Sequence, residues 1–304
     1  MLKERQQGLV AILTANIIFG LNTPVTKELM DHWMSPIGYT ITRMFFGAAL
    51  FWLVGLFLKS EKVDKKDMWT MIIGGLMGFI GTQLLFSQAL EYTTPVIYSL
   101  LMALTPVVVL ILSAIFLKEG IPSRKILGII ISISGAGLII YLSGSGGPTG
   151  SNNGLGILLA ILCVFCYAGY LTLTRKISMK YNPITIAKWM FLVSAIAALP
   201  LTFNGGLEHQ EIYSESGTVW AYSLLLFSLL FSTTLAFFLM PYALKRLEAS
   251  TASIFMNLQP IVASVVAIAV GQDRLTWDKP LAAFLVILGV YLVTYKKRKE
   301  VAPA

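Results

Sequence analysis

Apolar residues run through this chain in long unbroken stretches, with charged and polar residues gathered between them. The stretches fall at residues 7–28, 36–58, 69–90, 94–117 and 124–143, then again at 155–175, 183–203, 218–244, 249–271 and 278–296. At 1.5 Å per residue, each is long enough to cross the roughly 30 Å hydrocarbon core of a bilayer. The pattern predicts an all-α membrane protein of ten transmembrane helices.

The stretch Thr94 to Leu117 is 24 residues long, carries no charge, and holds Pro106 at its middle. Proline removes a backbone donor and clashes with the preceding turn, so an irregular backbone is expected at membrane depth. Only neighbouring helices or a water-filled cavity satisfy groups freed there. The same device returns in 249–271 around Pro260. With an offset of 154 residues the two stretches align without a gap, and Ser99 meets Ser253, Met102 meets Met256, Gly135 meets Gly289 and Glu119 meets Asp273. The chain therefore reads as an internal duplication, and paired interrupted helices at matching positions point to a transporter's central site.

The expected organisation is a first repeat over 1–143, a Gly/Ser-rich linker over 144–153, a second repeat over 154–296 and a basic tail over 297–304. Lys59, Lys62, Lys65, Lys66, Arg175, Lys176 and Lys180 fall on one side of the membrane, whereas the other holds little beyond Lys27, Arg274 and Lys279. By the positive-inside rule both termini are expected to be cytoplasmic. Five spans per repeat is an odd number, so the second repeat crosses in the opposite sense to the first. Two inverted repeats around a central cavity can exchange inward-open and outward-open states.

Composition agrees with this reading. Of 304 residues 56% are hydrophobic and 12% charged, far from the balance of a soluble domain. The net charge of +8 sits at helix ends, so the expected partners are a lipid bilayer and a small-molecule substrate, with no nucleic acid, in a monomer or weak homodimer of the cell (inner) membrane. Cys163 and Cys166 share one apolar span and read as helix-packing residues rather than a disulfide or zinc pair. His32 and His209 stand alone, and no HExxH, GxSxG or GxxxxGK[ST] stretch occurs. No enzyme activity, metal or cofactor is expected.

FGLNTPVTK (Phe19 to Lys27), SPIGYTITRMFFGAAL (Ser35 to Leu50) and the run from Ala89 to Ile140 resemble an EamA domain of the drug/metabolite transporter superfamily, and Ala243 to Val293 resembles a second one. The spacing from proline to acid, Pro106 to Glu119 and Pro260 to Asp273, is the most specific part. Asp273 after Gln272 departs from the usual glutamate. The resemblance implies a transporter of small metabolites whose substrate path runs between helices 1, 3, 4, 6, 8 and 9.

Polar side chains within spans are expensive and mark candidate sites. Asn16 and Asn22 lie six residues apart on different faces of the first helix, and Asn22 is the preferred cavity residue. On the third helix Gln83, nearer mid-span, is preferred over Gln88. On the fourth, Tyr98, Met102 and Thr105 form one stripe leading to Pro106. Ser253, Met256, Asn257 and Gln259 occupy the matching stretch before Pro260. These stripes are expected to face each other as the cavity lining, against the plainer reading that they serve helix packing. Tyr167, Tyr170, Phe238 and Tyr242 are candidate aromatic walls. Arg43 and Lys188 either reach a substrate carboxylate or, more simply, send their long stems to the interface. Glu119 and Asp273 either pair with Lys118, Arg124, Arg274 and Lys279 or act in gating.

No acidic residue lies deep in a span, since Glu91, Glu119, Glu248 and Asp273 all stand at ends. A proton-driven exporter of cations generally needs such a carboxylate. Uncharged amides, hydroxyls and aromatics suit a neutral or zwitterionic metabolite, so export of amino acids or related compounds is the leading expectation. Export of cationic drugs is the alternative, and a polytopic membrane enzyme or a receptor is more remote.

Overall fold

Three helices of this protein begin in the same way, one of them at Thr94–Pro95. Ser35 and Asn182 sit in extended backbone ahead of a proline at the first helical position, and each side chain accepts from a first-turn amide, Gly38 N at 3.0 Å and Ile184 N at 3.0 Å. The cap satisfies a donor the helix leaves open, and the proline has none to satisfy.

The computed structural model describes residues 2–58, 61–117, 123–143, 152–208, 210–214, 217–247, 255–273 and 277–294. Among these every regular element is helical: α1 (Leu2–His32), α2 (Pro36–Leu56), α3 (Lys65–Gly74), α4 (Thr82–Tyr92), α5 (Pro95–Met102), α6 (Thr105–Leu117), α7 (Ser123–Ser143), α8 (Asn153–Lys180), α9 (Pro183–Leu201), α10 (Val219–Phe227), α11 (Phe237–Leu244), α12 (Leu258–Ala269) and α13 (Asp278–Thr294). Seven continuous helical runs are long and apolar enough to cross a membrane, and Ile126–Gly135, Leu258–Ala269 and Pro280–Leu292 are shorter apolar helices. The expected linker lies largely outside the described residues, as do Glu119, Ser253 and the basic tail. Asn152 caps α8 by accepting from Leu155 N at 3.3 Å.

The interruptions fall where the prolines place them. Ala103 and Leu104 form a turn between α5 and α6 just ahead of Pro106, and Met256 and Asn257 form a turn just ahead of α12 and Pro260. Besides a short π stretch, Thr202–Gly206, that closes α9, two further irregularities inside the spans were not anticipated. Gly75–Gly81, between α3 and α4, and Ser228–Ala236, between α10 and α11, are π-helical. A π segment adds a residue to the turn and rotates everything after it relative to an α-helical count.

Buried polar residues such as Asn16, Asn22, Thr40, Ser194 and Thr233 lie inside, whereas Val10, Leu53, Phe203, Val265 and Phe284 are exposed on the outside. An apolar exterior, with polar groups such as these enclosed within a largely apolar core, is suited to lipid. The helices α7 and α13 pack together closely, as do α2 and α9, while α1 packs on α11 and α12, and α8 on α4, α5 and α6. Gly135 and Gly289 permit the α7–α13 approach: a Cβ on Gly135 would sit 2.9 Å from Leu285 Cβ, and one on Gly289 would sit 2.5 Å from Gly128 O.

Loops fasten both ends of the bundle. At the end where α2 starts, Gln210 Oε1 accepts from Ser35 N at 2.7 Å, its Nε2 donates to Ser35 Oγ at 3.0 Å, and Ile212 N donates to Trp33 O at 3.1 Å. At the opposite end Lys180 pairs with Asp64 and, at 2.6 Å, with Asp67, while the Tyr181 hydroxyl donates to Asp67 Oδ2 at 2.7 Å.

Candidate functional site

Arg43, early in α2, is only 1% exposed. A cation at membrane depth costs roughly 3 kcal/mol on insertion scales, so it must find partners. Its Nε donates to Thr233 Oγ1 at 2.7 Å, its Nη2 to Ser232 Oγ at 3.0 Å and its Nη1 to Gln83 Oε1, while its guanidinium carbon lies 5.2 Å from the centre of the Tyr39 ring. The simpler expectation, a stem snorkelling to the interface, is therefore overturned. The side chain turns inward because two π-shifted hydroxyls and an amide from distant helices meet it there.

The π segments themselves explain why those groups are in place. Thr233 Oγ1 donates to Ser228 O and Thr234 Oγ1 to Leu229 O, both at 2.9 Å, and Thr82 Oγ1 donates to Met77 O at 2.8 Å, each reaching five residues back. These hydroxyls satisfy carbonyls in the widened turns and hold the widened geometry.

Beside this cluster lies a cavity of about 50 Å³. It is lined by Phe19, Asn22 and Thr23 of α1, Thr82, Gln83 and Phe86 of α4, Tyr98 and Met102 of α5, Tyr167 of α8, Ser232 and Phe237 near the second π segment, and Gln259 of α12. None of these residues is acidic. Two of them, Gln83 and Ser232, also hold Arg43, so the guanidinium lies directly behind the wall.

The wall is a set of bonded groups with one conspicuous exception. Asn22 accepts from Ser228 Oγ at 2.9 Å and donates to Thr26 Oγ1 at 3.1 Å and the Tyr39 hydroxyl at 3.3 Å. The Tyr98 hydroxyl meets Cys163 Sγ at 3.4 Å, and the Tyr98 ring packs edge-on against Phe86 at 5.1 Å. Gln259 Nε2 donates to Asn16 Oδ1 at 2.6 Å, tying α12 to α1. The Tyr167 hydroxyl, in contrast, is buried with no hydrogen-bond partner among the described residues. Behind Phe237 an aromatic cluster fills the interior, with Phe79 at 4.6 Å and Phe191 at 5.5 Å from its ring centre.

Of the residues expected at the site, Asn22, Gln83, Tyr98, Met102, Tyr167 and Gln259 meet at this cavity. Thr105 instead donates to Met102 O at 2.6 Å, holding the turn at the helix break. Tyr170 packs on Phe79 at 5.8 Å and fills the space over Gly78. Phe238 points to Tyr242, at 5.8 Å, and its neighbour Phe237 takes the wall position. Met256 is buried, and Asn257 Oδ1 is buried without a partner among the described residues, but neither lines the cavity. Lys188 lies 4.5 Å from the centre of the Trp52 ring, away from the site. Asp273 is 5% exposed four residues beyond α12; Arg274 lies outside the described residues, and the Lys279 side chain is likewise not described. Ser232, Thr233 and Phe237 escaped sequence reasoning. The glycine spacing in Gly74–Gly81 hints at an irregular third helix, but no comparable signal precedes Phe237.

An apolar exterior, helices broken at membrane depth and a polar cavity between them define a multi-pass membrane transporter. The EamA-like transporter family model matches residues 6–141 and 154–295, and the chain belongs to that family. It is 28% identical to an uncharacterized transporter of Archaeoglobus fulgidus over 87% of this chain and 91% of that one. It is 25% identical to the uncharacterized transporter YyaM of Bacillus subtilis, covering 92% of this chain and 91% of that one. A WAT1-related protein of Arabidopsis thaliana is 20% identical over 98% of this chain and 86% of its own. One solved crystal structure superposes with a TM-score of 0.66 at 18% identity, over 96% of this chain and 98% of that one. The protein is thus a membrane-embedded carrier of a small molecule rather than an enzyme.

Proposed function

We propose that the chain is a ten-helix carrier built as two inverted five-helix repeats, moving amino acids or related neutral and zwitterionic metabolites out of the cell by alternating access at the central cavity, with both termini cytoplasmic. The observation that carries this reading is the recurrence of structure at the repeat offset. Ser132 Oγ bonds Val286 O at 3.4 Å across 154 residues, as expected where a residue meets its own counterpart on a pseudo-two-fold axis. Shifted by the same offset, the first π segment falls inside the second, and the break before Pro106 overlaps the break before Pro260 at Asn257. The packing of α8 on α4, α5 and α6 likewise mirrors that of α1 on α11 and α12.

The cavity lies where the breaks and π segments converge, and its lining draws on helices 1, 3, 4, 6, 8 and 9 of the ten-helix reading. Amides, hydroxyls and aromatic rings without a carboxylate favour a neutral or zwitterionic substrate over an organic cation. Counterflow of labelled neutral amino acids into liposomes holding the purified protein tests the reading. Exchange without an imposed ion gradient supports it; silence across the amino acids, with uptake of an organic cation instead, overturns the substrate class.

A further inference from the structure

Arg43 is a full positive charge with no anionic partner among the described residues. Each hydrogen-bond partner it has, Gln83, Ser232 and Thr233, is uncharged, and no acidic side chain among the described residues pairs with it. A structural arginine at this depth is ordinarily neutralised by a carboxylate, because neutral oxygens share the charge without cancelling it. Here the charge is left standing, and two of the three groups that hold it form part of the cavity wall. Across the same cavity, the buried Tyr167 hydroxyl has no partner among the described residues.

We infer that the Arg43 guanidinium is the docking group for a carboxylate on the transported molecule, which enters between Gln83 and Ser232 and takes their place as its partner. The inference rests on reading the cavity as the substrate site, and it narrows the substrate class to molecules bearing a carboxylate. The planar guanidinium matches two carboxylate oxygens, a fit that neither a carboxamide nor a spherical anion reproduces. Gln83 and Ser232 then act as stand-ins: they satisfy the cation while the site is empty and yield it when the anion arrives. The Tyr167 hydroxyl faces the remainder of the molecule and can accept from an amino group or donate to an oxygen.

The test is thermal unfolding of the purified full chain with propionate, L-alanine and L-alaninamide, against sodium chloride at matched ionic strength. Both carboxylates are expected to raise the midpoint and the amide is not. Arg43→Gln is expected to weaken the apparent affinity for propionate roughly tenfold or more, the worth of a charge-assisted hydrogen bond, while Arg43→Lys retains part of it. Should the glutamine variant fail to fold, Ser232→Ala keeps the charge and removes a competing neutral partner, so its preference for propionate over alaninamide is expected to sharpen. Alaninamide raising the midpoint as much as alanine does, no shift with propionate, or a propionate effect untouched by Arg43→Gln would each overturn the inference. Stabilisation by propionate without any by alanine sustains the role of Arg43 and removes the amino-acid reading instead.

Discussion

Arg43 Nε donates to Thr233 Oγ1 at 2.7 Å, and Thr233 donates in turn to the carbonyl of Ser228, five residues back. One hydroxyl therefore links a buried cation to the turn that makes α10–α11 irregular. Thr233→Val removes this link while keeping the side-chain shape. It is expected to lower stability by about 1–3 kcal/mol, the cost of leaving a buried charged donor short of an acceptor. Thermal unfolding of the variant in detergent measures the loss, and an unchanged midpoint would show that Arg43 does not depend on Thr233.

The π segment Ser228–Ala236 determines which face α11 turns to the cavity. Deleting Leu230 restores an α-helical count and rotates the residues beyond it by about 100° relative to the preceding helix. Phe237 would leave the wall and a neighbour would take its place. The deletion is expected to insert into the membrane normally and to lose substrate exchange, as read by counterflow alongside a check of monodispersity. Exchange at the parent rate would mean that the π register has no part in shaping the site.

This segment also marks where sequence reading stops. Seven membrane-length runs, the breaks before Pro106 and Pro260, and the meeting of Asn22, Gln83, Tyr98, Met102, Tyr167 and Gln259 at one cavity are legible because apolar length and polar residues within apolar runs are local signals. Phe237 was missed in favour of Phe238 because helical counting assumes 3.6 residues per turn throughout, and the π segment breaks that assumption just upstream. For Arg43 the sequence leaves a substrate carboxylate and a snorkelling stem both open, with the stem the simpler, because its fate depends on Ser232 and Thr233, about 190 residues away in sequence. Nothing near Arg43 announces those partners. Thr105, expected on the stripe, and Tyr170, expected as an aromatic wall, lie elsewhere for a related reason: local bonding claims the first side chain and the open face of Gly78 the second.

The α7–α13 contact rests on two glycines one repeat offset apart. Gly289→Ala places a methyl group 2.3 Å from Ser132 Oγ and 2.5 Å from Gly128 O, which the helices can relieve only by separating. The expected loss is about 1–3 kcal/mol. Gly137→Ala serves as the comparison, since a Cβ there meets nothing within 4 Å, and it is expected to be neutral or slightly stabilising. Equal midpoints for the two variants would contradict the close packing.

Lys180 fastens one end of the bundle to Asp64 and Asp67. Lys180→Ala releases this tie and is expected to open that end more often. Cys163, bonded to the Tyr98 hydroxyl and to Thr82 O at 3.4 Å each, reports on access to the cavity wall. In a Cys166→Ala background, a thiol reagent applied from the Lys180 face is expected to label Cys163 faster in the variant than in the parent. Labelling at the same rate in both would show that the tie does not control access.

Met102 lies on the cavity wall on α5, just before the helix break, and Leu230 is exposed on the outer surface. The most direct measurement compares counterflow of a labelled substrate by the parent protein, by Met102→Trp, which fills the cavity, and by Leu230→Trp, which adds the same bulk outside. Exchange that is lost in Met102→Trp and kept in Leu230→Trp, with both variants folded, is the result expected if substrate passes through this cavity. Full exchange in Met102→Trp would place the path elsewhere.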